Sequence, residues 1–199
     1  MRTTLRTLFI VNCTLIASAV ARADDSGGAI AGEVATRSPK QRAGIVVHLD
    51  KVAGTFRPPA KPAEMDQKGM KFVPHVLAIL RGTTVRFVNS DAVRHNVFSP
   101  DGEKYNLGTW PQGESKTYAF KTAGVYRQLC NVHPEMGAAI VVLDNPYFAV
   151  TSDDGKFKIE NVPPGTYTLR AWSEKLPEAT RQVTVTAGGT ASAHIEMGK

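Results

Sequence analysis

Cys130, His133 and Met136 fall within seven residues, in Cys130-Asn-Val-His133-Pro-Glu-Met136, at the end of the run Gly124-Val-Tyr-Arg-Gln-Leu; His95-Asn96-Val97 lies upstream on a separate candidate strand end. A thiolate, two imidazoles and a thioether make the donor set of a trigonal His₂Cys copper site with a weak axial Met, a geometry suited to moving single electrons. Soft sulfur holds Cu(I) and imidazole serves Cu(II). Three such side chains so close together wrap one ion only on a tight loop. The fourth must come from an adjacent strand, to close the sphere and limit rearrangement between oxidation states. Other chemistries fit this pattern less well. A lone Cys130 can be a buried hydrophobe or pair with a second molecule. A Cys-His nucleophile wants a third orienting residue and an activated thiolate, whereas Cys130 sits at a strand end. Structural zinc takes four Cys or His ligands and rarely a thioether. A binuclear copper centre needs a second bridging cysteine near Cys130, and the sequence has only Cys13 besides.

The elements that must position these residues belong to a chain of 199 residues, enough for one or two domains and too short for a large multidomain enzyme. Hydrophobic residues at 42% and charged residues at 21% describe a folded globular chain. Residues 1–23 read as a secretory signal: basic Arg2 and Arg6, an apolar stretch from Leu8 to Val20, and Ala21-Arg22-Ala23 before the cut. The stretch is short for a membrane span and is broken by Asn12 and Thr14, so no span is expected after cleavage. Cys13 leaves with the signal. Losing Arg2, Arg6 and Arg22 takes the basic count from 24 to 21 against 18 acids, so the net charge falls from +6 to +3. No cluster of Lys and Arg interleaved with aromatics remains, which argues against nucleic-acid binding. The mature chain then enters an oxidising compartment with one thiol, Cys130, and no partner for it.

From residue 28 onward, short β-branched runs alternate with Gly, Pro, Asn and Asp, and no long stripe of helical period appears, so an all-β fold is expected. Candidate strands are 29–34, 44–49, 71–80, 83–89, 95–98, 115–120, 124–130, 138–143, 157–160, 166–172, 182–186 and 191–197. Their number suggests two sandwiches. The Pro-rich stretch from Phe56 to Pro62 and the turn Asp144-Asn145-Pro146 bound a central block at 63–144.

That block resembles the cupredoxins. The resemblance rests on His95-Asn96-Val97 and Cys130-x-x-His133-x-x-Met136, with Phe72-x-Pro74, Gly82-Thr-Thr-Val85-Arg-Phe87-x-Asn89 and Gly124-x-Tyr126 before them. The two residues between His133 and Met136 make the loop closer to the amicyanin type than to plastocyanins, among chains of the kind labelled methylamine utilisation proteins. The resemblance implies an eight-stranded Greek-key barrel holding one type 1 (blue) copper, with His95, Cys130, His133 and Met136 as ligands. It implies a periplasmic electron carrier rather than an enzyme, a monomer whose partner is a redox protein such as a c-type cytochrome or a periplasmic dehydrogenase. Copper handling, or an envelope interaction module with an accessory copper site, is the alternative; the sequence has only 5 Met and no Met or His tract.

Around the ligands, Asn96 is expected to tie its loop to the Cys130 loop, and Pro134 to stiffen the loop by its fixed φ and missing N–H. Gln128 shares strand parity with Cys130 and so points inward unless a bulge turns it outward, and both readings stand. Trp110, Tyr118, Phe120 and Tyr126 read as core, and His48, His75 and His194 as structural or solvated. Downstream, the stretch from Thr151 to Trp172 alternates strictly on both sides of Pro163-Pro164-Gly165 and resembles the carboxypeptidase regulatory-like domain, a small transthyretin-like sandwich. The opening strands of that family match Gly32-Glu-Val34 and Ala43-Gly-Ile-Val-Val-His-Leu49, which precede the central block. The expected arrangement is a discontinuous sandwich of 29–56 and 147–199 with the cupredoxin inserted in one of its loops, against the alternative that 29–56 extends the cupredoxin. Asp153-Asp154-Gly155 reads as hairpin chemistry rather than a calcium site.

Overall fold

The structure is a computed structural model that describes residues 26–198. The expected signal, 1–23, lies outside the described residues. Sixteen strands follow in order: β1 (Gly28–Thr36), β2 (Val46–Leu49), β3 (Ala63–Gln67), β4 (Phe72–Val73), β5 (Val76–Leu80), β6 (Thr84–Asn89), β7 (His95–Ser99), β8 (Tyr105–Trp110), β9 (Ser115–Ala119), β10 (Gly124–Leu129), β11 (Gly137–Leu143), β12 (Phe148–Val150), β13 (Lys156–Val162), β14 (Gly165–Trp172), β15 (Ala179–Val185) and β16 (Thr190–Met197). Among the described residues, one 3-10 turn at Pro39–Gln41 is the only helical element. No described helix is long and apolar enough to cross a membrane.

Strand pairing divides these elements into two sandwiches. β3 to β11 form sheets ordered β5-β11-β10-β7-β8 and β4-β3-β6-β9, while the remaining strands form β13-β1-β16 and β12-β2-β14-β15. β1 therefore lies between strands from the far end of the chain, antiparallel to β13 and parallel to β16, and β2 lies between β12 and β14. In sequence, β3 to β11 lie between β2 and β12. Gly32 has a particular reason to be glycine: flanked on both sides in the sheet, it leaves a Cβ only 1.7 Å from the Ala193 carbonyl oxygen.

Residue parity explains how the two units meet. β11 is apolar on both faces, as expected of a strand covered on each side. Its even positions, Ala138, Ile140 and Val142, join Phe87, Trp110, Phe120 and Tyr126 in the core of the central block. Its odd positions, Val141 and Leu143, join Val76 of β5 and Val46 of β2 in a small apolar seam, with Phe148 and Trp172 against it. β2 continues the division, since Val47 and Leu49 face the outer core with Ile30, Ile159 and Leu169. At the rim of the seam His75 and Glu174 pair at 2.5 Å. Exposed on the surface, such a pair adds at most about 1 kcal/mol.

Three strands lie outside the sequence expectation. β3 carries one fully buried apolar side chain, Met65, and its other inward residue is Gln67. β8 contains Gly108 at φ 74 and is mostly exposed, and β12 has three residues. The expected strand 71–80 is two strands in different sheets. Pro74 cannot donate to a ladder, and the chain passes from one sheet to the other there.

Candidate metal centre

Alternation along β10 buries Tyr126 and Gln128 and carries Cys130, one residue past the strand, to the same inward face. β10 meets β7 at the pair Leu129↔Phe98, and just beyond it Asn96 of β7 bonds to Cys130 Sγ and Asn131 N–H. His95, at the start of β7, is fully buried opposite Trp110 of β8. After Cys130 the chain turns on Pro134, and Met136 N–H donates to the His133 carbonyl at 3.0 Å. Proline pre-sets φ for the second position of such a turn. His133 is half-buried, Pro134 and Glu135 are exposed, and Met136 returns to the core at 1% exposure.

These elements bring His95, Cys130 and His133 together, with one ligand atom from each within 4.8 Å of the others. The two Nδ1 atoms are 2.9 Å apart, and Cys130 Sγ lies 3.9 Å from His133 Nδ1. Cys130 is a free, buried thiol. Its sulfur accepts from the Asn96 backbone N–H at 3.4 Å. Met136 is buried in the same core cluster as Cys130. Converging imidazole nitrogens, a thiol aimed at them and a thioether on the same loop are donors that fit the copper implied by the resemblance.

Asn96 joins three segments. Its side-chain oxygen accepts from Asn131 N–H at 3.3 Å, and its amide donates to Asn106 Oδ1 and the Gly108 carbonyl, each at 2.8 Å. Gln128 points inward at 0% exposure, donating to the Tyr126 carbonyl at 2.9 Å and accepting from the Tyr105 hydroxyl. Its amide is thus occupied with Tyr105 and Tyr126. Burial pushes the Tyr105 phenol far above its usual range, so it stays a donor. Tyr105 stacks on Tyr118 at 4.1 Å. Burial and the Glu103 carboxylate push Tyr118 up to about 12.

Two carboxylates carry weight that sequence reasoning missed. Asp91 Oδ2 lies 2.9 Å from His95 Nε2, and the carboxylate accepts from the Gly69 and Met70 N–H groups through its two oxygens. Burial works to raise its pKa, and these three hydrogen bonds together hold it below the ordinary carboxylate value. The only local sign is the Asn89-Ser90-Asp91 turn before His95. Glu103 accepts from Tyr118 and from the Lys121 and Thr122 N–H groups; against the opposing effect of burial, those bonds hold its pKa low as well.

Comparison with known proteins now has a geometry to meet. Residues 60–143 match the family model for copper binding proteins of the plastocyanin/azurin family, and residues 133–198 match that for the carboxypeptidase regulatory-like domain. The latter begins inside the central block and omits β1 and β2, which strand pairing assigns to the same sheets as its strands. A search of curated proteins finds no match. Among solved structures, a copper-containing nitrite reductase from Thermus scotoductus SA-01 is 29% identical over 49% of this chain and 25% of its own, with a TM-score of 0.42. The chain thus spans a quarter of that enzyme. A single-residue mutant of amicyanin in its Cu(I) form is 26% identical over 41% of this chain and 82% of its own, with a TM-score of 0.39. A purple cupredoxin from Nitrosopumilus maritimus is 26% identical over 41% of this chain and 99% of its own, with a TM-score of 0.38. This all-β chain thus folds as two sandwiches, with one stretch that matches the copper binding proteins and another that matches the carboxypeptidase regulatory-like domain.

Proposed function

We propose that the chain is a periplasmic, mononuclear type 1 copper protein that carries single electrons between redox partners and is not itself an enzyme. The observation that carries this reading is the convergence of His95, Cys130 and His133 on one point, with Cys130 and His95 buried and His133 half-buried. Bound copper would supply a one-electron couple, held by His95, Cys130, His133 and, as the weak axial donor, Met136. The protein's own work is positional. Asn96 and the turn at Pro134 fix the loop, the buried flank of His95 excludes water, and the exposed side offers His133 to a partner. Val93 at 45% and Val132 at 48% exposure lie in the two ligand loops, a small apolar surface suited to brief encounters. Residues 63–145 carry nine basic and eight acidic side chains, so strong long-range steering is not expected. The signal-like 1–23 segment supports export, and a partner such as a c-type cytochrome or a periplasmic dehydrogenase would meet the protein there.

The test is the visible spectrum of the copper-loaded protein, followed by its reduction with a c-type cytochrome. An intense thiolate charge-transfer band and rapid exchange support the reading. A coloured protein that exchanges electrons with no periplasmic carrier favours copper handling, and a protein that takes up no copper overturns both.

A further inference from the structure

Asp91 stands outside the ligand set, yet its carboxylate backs His95. The Nδ1 of His95 faces His133, and the other ring nitrogen, Nε2, lies 2.9 Å from Asp91 Oδ2. The imidazole is 0% exposed and the carboxylate side chain 16%. Asp91 itself is held from three sides. Gly69 N–H donates to Oδ1 at 2.7 Å, Met70 N–H donates to Oδ2 at 2.9 Å, and the N–H of Asp91 donates to Asn89 Oδ1 at 3.0 Å. Asn89 is fully buried, and its amide donates to the Val93 and Trp110 carbonyls, which fixes the whole 89–93 turn. Both carboxylate oxygens already accept backbone N–H groups, so Asp91 meets Nε2 as an acceptor and Nε2 carries the hydrogen. With the hydrogen there, Nδ1 is the ring nitrogen left to face Cys130 and His133.

We propose that Asp91 is the positioning residue of the centre: it locks His95 in the Nε2–H tautomer with Nδ1 free to ligate, and its charge, one imidazole ring from the metal, favours Cu(II) over Cu(I). Outer partners of ligating histidines orient the ring and raise its basicity in just this way. The tautomer half concerns the copper-free protein; the charge half rests on the copper reading.

Histidine ¹⁵N NMR of the copper-free full chain reads the tautomer. The expected wild-type result is a protonated Nε2 and a bare Nδ1 at His95. Asp91→Ala mixes the two tautomers, and Asp91→Asn, whose amide oxygen accepts the same bond, restores the wild-type form. With copper bound, Asp91→Asn keeps the wild-type absorption while the ratio of Cu(I) to Cu(II) affinity rises about tenfold, an upward shift in potential of about 59 mV for one electron. A wild-type His95 protonated at Nδ1, or an Asp91→Ala protein with unchanged tautomer and potential, overturns the proposal and leaves Asp91 as a brace for the 69–70 turn. Failure to bind copper overturns the functional reading and the charge half together, whereas the tautomer measurement still judges the hold of Asp91 on His95.

Discussion

His95 and His133, 38 residues apart in sequence, present their Nδ1 atoms to each other at 2.9 Å. Their rings meet edge to face with centroids 4.7 Å apart, and with Cys130 they bring one ligand atom each to within 4.8 Å of the others. Cys130→Ser should therefore abolish the charge-transfer colour while leaving the fold intact. Met136→Gln should keep copper and shift its spectrum and potential, because the axial ligand is weak and tunes rather than anchors. Absorption and EPR spectra of the two variants check this; a Cys130→Ser protein that stays blue would remove Cys130 from the ligand set.

Gln128 and Tyr105 satisfy one another inside the barrel. Replacing Gln128 with Leu strands a buried phenol donor and should cost about 1–3 kcal/mol in urea denaturation. Adding Tyr105→Phe should recover part of that loss, because both polar partners are then gone. The copper spectrum should move little in either variant. Strict additivity of the two losses would show that the pair does not interact.

Glu103 and Asp101 should contribute to the loss of stability in acid. The Arg127 guanidinium holds Asp101 low, and Glu103 sits below its ordinary 4.5 because its burial is outweighed by the hydrogen bonds it accepts. A folded-state pKa below the unfolded one gives stability that is present above the unfolded value and lost as pH falls through the folded value. Glu103→Gln should thus lower stability at pH 7 by about 2 kcal/mol, and the gap should close below the ordinary carboxylate range. Denaturation curves collected from pH 7 downward decide it, and a gap that widens in acid contradicts the assignment.

Docking is expected at the exposed tip formed by Pro134, Val132 and Val93, with Arg94 and Glu135 as local contacts. Pro134→Arg should slow electron exchange with a cytochrome about tenfold, equivalent to ~1.4 kcal/mol of docking energy, and leave the copper spectrum nearly unchanged. Stopped-flow rates should vary only modestly with salt. Steep salt dependence with indifference at Pro134 would move the contact elsewhere.

The outer sandwich should survive without its insert. Cutting out about residues 60–146 and closing the gap with a short flexible linker leaves β1, β2 and β12 to β16 with their sheet partners, and loop closure costs little per added residue. Circular dichroism and a cooperative melt would report the fold; an unfolded chain would mean that the seam at Val46, Val141 and Leu143 is indispensable to it.

What could be read from the chain alone followed from how local each signal was. Cys130, His133 and Met136 share one short loop, and the alternation across Pro163-Pro164-Gly165 is confined to two consecutive strands, so both were legible. Parity alone left Gln128 inward or, with a bulge, outward, and its partner Tyr105 lies on β8, a strand hidden by Gly108 and by its exposed residues. Asp91 was harder still. Its role depends on the 89–93 turn and on N–H groups at Gly69 and Met70 that only the folded sheet brings near. β3 escaped because one methionine and an inward glutamine give no alternation to count.

The parallel pairing of β1 with β16 also sets an order of events. Glu33 and His194 meet across 161 residues of chain, so β1 has no β16 to pair with until that whole segment has emerged. Every sheet partner of β3 to β11 lies within that segment. The insert can reach its final form while the outer unit waits with an open strand, and slow, long-range pairing of that kind comes late. The metal centre is thus assembled on a part of the molecule that does not depend on β16, whereas the sandwich around it closes only when that strand arrives.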